Sequence, residues 1–146
     1  MTLSRTMREA ALGDAAVLHQ LFEQLVGHDL LLDDIDRRLA FVKESPIEFL
    51  YVCEEQGEVK GALAFRLREN IEDFSRFGEV SLIVVNEQCR RQGLGEFMMH
   101  FAEQLAAEKH CIGTWLVSGF GREEQAHRFY KELGYEINGY RFVKRA

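Results

Sequence analysis

The residues with the clearest capacity for chemistry lie in Val84–Glu96, VVNEQCRRQGLGE. A β-branched apolar run ends, a short turn follows, and Gly93 and Gly95 stand at the mouth of a segment with helical apolar spacing. Glycine lets backbone N–H groups turn toward one point and leaves no Cβ in a ligand's way. The first N–H groups of a helix lack internal partners and sit at the positive end of its dipole. Together these features make an anion site, most naturally for a phosphate or pyrophosphate. Arg90 and Arg91 add positive charge there, in a chain whose net charge is −6. A dinucleotide fingerprint needs a third glycine where Met98 stands, and a P-loop needs Lys-Ser/Thr where Glu96-Phe97 stands; both are excluded on residues. Taken alone, the turn also fits a plainer account, a helix that merely begins with glycines.

Other reactive side chains form no recognisable set. The five histidines (His19, His28, His100, His110, His127) show neither H-x-x-x-H nor Cys-paired spacing, so no metal is expected. Cys53, Cys89 and Cys111 are odd in number without C-x-x-C spacing, which reads as free thiols in a reducing cytoplasm. Cys89 adjoins the two arginines, but an acyl-cysteine route needs a base beside it and none is legible.

The elements that must position the glycine turn follow from periodicity. At 146 residues the chain is expected to be a single domain, 1–146, with 47% hydrophobic and 29% charged residues, an ordinary globular composition. Twenty-four acids against eighteen bases argue against non-specific nucleic-acid binding. Met1–Ala10 carries no signal-peptide pattern, and the longest apolar runs, Phe49–Cys53 and Leu82–Val85, fall far below the roughly 20 residues of a membrane span. A soluble, cytoplasmic protein with no nucleic-acid or membrane partner is expected. Leu3–Glu9 predicts a strand. Asp14 predicts an N-cap to a helix striped by Val17, Leu18, Leu21, Phe22 and Leu25. Asp33 or Asp34 opens a second helix, with Ile35, Leu39 and Val42 inward and its end before Pro46. Phe49–Glu54 and Glu58–Leu67 predict a hairpin turning at Gln56-Gly57, and Glu79–Val85 a central strand. A helix from Gly93, a strand at Ile112–Val117, a helix at Arg122–Leu133 closed by Gly134, and one or two strands in Tyr135–Lys144 complete the chain. The fold class is α/β (mixed α+β): a mixed central sheet with helices on both faces, in the order β-α-α-β-β-β-α-β-α-β.

Arg90-Arg91-Gln92-Gly93-Leu94-Gly95 resembles the R-x-x-G-x-G signature of the GNAT superfamily of acyl-CoA N-acyltransferases, and it follows a strand ending in Val85 as in that family. Ala126-His127-Arg128-Phe129-Tyr130-Lys131-Glu132-Leu133-Gly134-Tyr135 is similar to the family's A-x-x-F-Y-x-x-x-G-F/Y block. The order and separation of the two motifs fit as well. Ala126–Tyr130 and Gly139–Lys144 are also similar to aminoalkylphosphonate N-acetyltransferases.

The resemblance implies acetyl-CoA as acyl donor and no metal. The CoA site would comprise Ile83, Val84, Val85, Arg90, Arg91, Gln92, Gly93, Leu94, Gly95 and Glu96. N–H groups from Arg91 to Gly95 would hold the pyrophosphate; a bulge would splay the central strand from its neighbour, and Ile83–Val85 would offer its edge to the pantetheine arm. The Val85 N–H would then polarise the thioester carbonyl. Tyr130 matches the tyrosine that protonates the departing thiolate, with membership of the Ala126–Phe129–Leu133 core stripe as its other reading. Where many relatives carry a basic glutamate this chain has Ser81 or Leu82; Glu79, on Ser81's face by strand alternation, is the candidate base, and a solvated strand-end glutamate is the alternative. The family's asparagine near Glu123 is replaced by Arg122, Glu123 and Glu124. His127 reads as a surface contact to CoA or solvent.

The function implied is an N-acetyltransferase, direct transfer in a ternary complex to a small-molecule amine or a protein lysine or N-terminus, compatible with a homodimer. Asp29, Asp33, Asp34, Asp36, Glu44 and Glu48 would suit a cationic acceptor such as a polyamine, lysine or aminoglycoside, or are solvated helix-start acids. Arg66, Arg68 and Arg76 would instead suit an aminophosphonate. The alternatives are an acyl-CoA-binding sensor of the same fold without catalysis, and a phosphate-binding scaffold that does not use CoA.

Overall fold

The computed structural model describes residues 4–118 and 123–146. Strand β1 (Arg5–Glu9) leads through a short 3-10 turn to helices α1 (Ala15–Val26) and α2 (Leu32–Glu44), followed by β2 (Glu48–Glu55), β3 (Glu58–Glu69), β4 (Arg76–Val85), α3 (Leu94–Glu108), β5 (Gly113–Leu116) and α4 (Glu123–Glu132). The sheet runs β1-β2-β3-β4-β5. Its first four strands are antiparallel neighbours, and β5 is parallel to β4. The β2–β3 turn places Gln56 and Gly57 both at positive φ, which the right-handed twist of a two-residue hairpin favours.

Each face of the sheet builds its own core. Leu63, Phe65, Val80, Leu94, Met98 and Met99 belong to the α3 side, where Phe129 and Tyr130 of α4 also pack. Leu18, Leu21, Ile35, Leu39, Val52, Ala62 and Val84 make up the α1–α2 side. Gly78 permits close packing of the first core: a Cβ there would lie 2.4 Å from the Phe65 ring.

Two expectations are corrected. Asp14 does immediately precede α1, but its side chain makes no cap to that helix. Its carboxylate accepts the Ala11 N–H at 2.7 Å and pairs with Arg8 at 2.8 Å, so a β1 guanidinium outcompetes the helix start. Tyr135–Lys144 forms no strand. Tyr140 and Phe142 are about nine-tenths exposed, and β5 at the sheet's margin has an edge of only four residues. The expected strand residue Leu3 and helix residue Arg122 lie outside the described residues.

Candidate functional site

The site begins where β4 and β5 part. Among the described residues their pairing runs from Phe77↔Gly113 to Val80↔Leu116 and no further. On the other side of β4 the register jumps at the same place, from Phe65↔Val80 to Ala64↔Leu82, leaving Ser81 as an extra residue. A bulge of this kind bends its strand and breaks the ladder. Beyond it, the Asn86 N–H donates to the Lys60 carbonyl at 2.8 Å. By alternation the peptide groups of Val84 then also face β3, while those of Ile83 and Val85 face the opening left by β5. Ile83 and Val85 direct their side chains to the α3 core and Val84 to the α1–α2 core. Of the three strand residues named from sequence, Ile83 and Val85 thus offer backbone groups to the gap, and Val84 does not.

The strand edge runs into the glycine turn. Arg91 (φ 66°) and Gly93 (φ 77°) are both left-handed, a conformation that costs Arg91 strain and Gly93 none. Gly93 is the N-cap of α3 and supplies no side chain, so the N–H groups of Leu94, Gly95 and Glu96 lack capping partners. A hollow of about 250 Å³ opens there, lined by Val85, Cys89, Arg90, Arg91, Gly93, Leu94, Gly95, Glu96 and Phe129. Gln92, also named from sequence, turns its carbonyl to accept from the Arg5 guanidinium. Arg5 in turn bonds Glu55, and the Lys60 ammonium lies 2.8 Å from the same carboxylate. Lys60 first, and then Arg5, hold the fully buried Glu55 carboxyl below the usual carboxylate range. Sequence reasoning missed this brace. Its members come from β1, β2 and β3, 87 residues separate Arg5 from Gln92, and no local motif marks them.

Tyr130 is placed on the α3 side by the helical stripe of α4, with its ring edge-on to Phe129 at 5.0 Å and to Tyr135 at 6.1 Å. Burial pushes its phenol above the ordinary value, which keeps its proton in place at neutral pH. Among the described residues nothing bonds its hydroxyl. Tyr135 differs. Its hydroxyl is 2.7 Å from Thr114 Oγ1 and donates to Glu103 Oε2 at 2.9 Å. Burial, and after it the Glu103 carboxylate, push Tyr135 up to about 12.

Glu79 is buried and pairs across the ladder with Arg66. Its Oε1 lies 3.6 Å from Arg66 Nη1 and 3.7 Å from Arg68 Nε. Arg66 and Arg68 continue the row of Ala62 and Ala64, so Glu79 stands on the α1–α2 face, opposite to Tyr130. Contacts place this carboxylate. Arg76 lies away from this cluster, bonded to Glu69 and, at 2.8 Å, to the Lys109 carbonyl. His19 bonds the Leu30 carbonyl at 2.7 Å, and His100 sits between Glu96 and Glu103, each 3.4 Å away. His127 is half-buried on α4.

Comparison with known proteins identifies the family and the fold. An aminoalkylphosphonate N-acetyltransferase of Salmonella typhimurium is 31% identical over 88 residues, 60% of this chain and 56% of the relative. The match therefore spans little more than half of that relative's length. A transcriptional regulator from Bacillus halodurans C-125 shares the fold, with a TM-score of 0.86 and 21% identity over 98% of this chain and all of that one. So does the aminoglycoside N-acetyltransferase AAC(6')-Iy in its complex with CoA, with a TM-score of 0.84 and 15% identity over all of this chain and 97% of the other. Residues 16–135 match the Acetyltransferase (GNAT) family, and with that span, the mixed sheet and the opened β4 edge, the chain belongs to it.

Proposed function

We propose that the chain is an acetyl-CoA-dependent N-acetyltransferase that transfers the acetyl group directly to a primary amine in a ternary complex. One observation carries the reading. The edge at Ile83 and Val85, unpaired among the described residues, runs straight into a left-handed glycine turn, so a strand-like amide arm and an anion are accommodated end to end. That is the shape of pantetheine followed by pyrophosphate. The residues fit the group: the hollow needs no side chain at Gly93 or Gly95, and Arg90 and Arg91 line it. Acetyl-CoA supplies the acyl carbon as a thioester.

The chain's own residues would do the rest. The Val85 N–H, turned to the gap, donates to the thioester carbonyl oxygen as negative charge builds there. An ammonium has no lone pair, so Glu79 accepts the acceptor's proton, directly or through water, from the α1–α2 face. The neutral nitrogen then forms the N–C bond as the C–S bond breaks, and gives up its second proton to solvent to become the neutral amide. Tyr130 donates its proton to the thiolate from the α3 face and recovers one from solvent. The net change converts an ammonium and a thioester into an amide, a thiol and one released proton.

Calorimetry with CoA, paired with thioester cleavage over a panel of amines, tests the reading. Binding with amine-dependent cleavage is expected. Binding without cleavage by any amine would convert the chain to an acyl-CoA sensor, and absence of CoA binding would leave only a phosphate scaffold.

A further inference from the structure

At the bulge end of β3 and β4, on the α1–α2 face, Glu48, Arg66, Arg68, Glu79 and Trp115 lie together. Glu48 bonds Arg66 directly. The Glu79 contacts to Arg66 and Arg68, at 3.6 and 3.7 Å, are too long for hydrogen bonds. The Glu79 side chain is 12% exposed, and among the described residues its carboxylate accepts no hydrogen bond. A carboxylate so buried gains strongly from a charged donor. The Arg68 side chain is 48% exposed and rests over the Trp115 ring at 5.9 Å. Among the described residues its guanidinium makes no hydrogen bond, so its fork of donors is open beside the open acceptor.

We infer that this cluster is the acceptor subsite and that it takes an amine bearing an anionic group, a phosphonate or a carboxylate. The inference rests on the acetyltransferase reading above. The ammonium meets Glu79 and the anion meets the Arg68 fork, which is shaped for planar or tetrahedral oxyanions. Two guanidiniums and two carboxylates leave the patch neutral, and a zwitterion preserves that balance while replacing two loose ion contacts with hydrogen-bonded ones. A polycation meets two guanidiniums instead. Of the acids that favoured a cationic acceptor, Glu48 stands in the patch, where Arg66 pairs with it; Asp33 and Asp34 occupy the first turn of α2, and Asp29, Asp36 and Glu44 are exposed.

Initial rates with acetyl-CoA and four amines, 2-aminoethylphosphonate, β-alanine, propylamine and spermidine, test the inference. The best anion-bearing amine should exceed propylamine in kcat/KM by roughly tenfold or more. The phosphonate and carboxylate arms identify the anion. Arg68→Gln should raise KM for that amine and shrink its advantage, with the KM for acetyl-CoA unchanged; Arg68→Lys should restore part of it. Preference for propylamine or spermidine overturns the inference, as does an advantage undiminished in Arg68→Gln. Turnover of none of the four by a chain that binds CoA overturns it too. Loss of CoA binding in the unaltered chain defeats the acetyltransferase reading instead.

Discussion

Two tyrosines five positions apart divide the work of one aromatic cluster. Tyr135 is committed to Thr114 and Glu103, whereas the Tyr130 hydroxyl is free among the described residues. Tyr130→Phe keeps the ring against Phe129 and removes only the proton donor. Its kcat should fall by roughly 10²–10⁴ if proton delivery limits the rate, with CoA affinity unchanged. Equal kcat, with chemistry shown to be limiting, returns Tyr130 to a packing role. Tyr135→Phe should do the reverse, costing about 1–2 kcal/mol in urea unfolding and little in kcat. Glu79→Gln bears on pH. Activity should rise with pH as the bound amine loses its proton, and the variant should lower kcat and change that profile. An unaltered profile assigns the proton to water. Tyr130 was legible in the sequence because its motif is local and helical. Glu79 was legible as a residue, but its arginine neighbours were not, because Arg66 and Arg68 reach it only across the β3–β4 ladder.

At the level of elements, the site is made by a defect in one strand and a brace from another. The bulge at Ser81 follows the last β4–β5 pair found among the described residues, and Arg5 on β1 holds the Gln92 carbonyl of the glycine turn. Gly95→Val probes the turn. The new side chain occupies the helix start, and its Cβ would lie 3.4 Å from the Phe129 ring. CoA affinity should fall by at least about tenfold, near 1.4 kcal/mol, as calorimetry reads it. Unchanged binding by a folded variant removes the phosphate cradle. The hairpin at Gln56-Gly57, the α2 stop before Pro46 and the α3 start at Gly93 were all legible, since each has a local steric cause. The bulge was not legible from composition, because Ser81 is an ordinary strand residue and its extra count appears only against β3. The strand expected in Tyr135–Lys144 failed for a related reason. Alternating aromatics describe one face of a strand without supplying an edge to pair with.

Across the whole molecule, β1 is tied down by charge as much as by hydrogen-bonded pairing. Arg5 meets Glu55, and Arg8 meets Asp14 at 2.8 Å and Glu54 at 3.2 Å. Lys60 and Arg5 lower the Glu55 carboxyl from its ordinary 4.5, and the Arg8 guanidinium lowers that of Asp14 from 3.8. A carboxyl whose folded value is depressed contributes its full stability above the unfolded value and loses it as pH falls through the folded one. Acid should therefore release β1, and with it the Arg5 hold on Gln92, so CoA affinity and melting temperature should decline together below the ordinary carboxylate range. Asp14→Asn isolates one of the two ties, since an amide oxygen still accepts the Ala11 N–H but carries no charge for Arg8. The variant should melt lower than the unaltered chain at about pH 7 and approach it as pH falls through the depressed Asp14 value, below the ordinary carboxylate range, because protonation removes the ion pair from the unaltered chain. Melting temperatures recorded over that range by circular dichroism decide the matter. Parallel curves would mean that Asp14 acts through its hydrogen bond to the turn and that Glu55 alone carries the acid sensitivity.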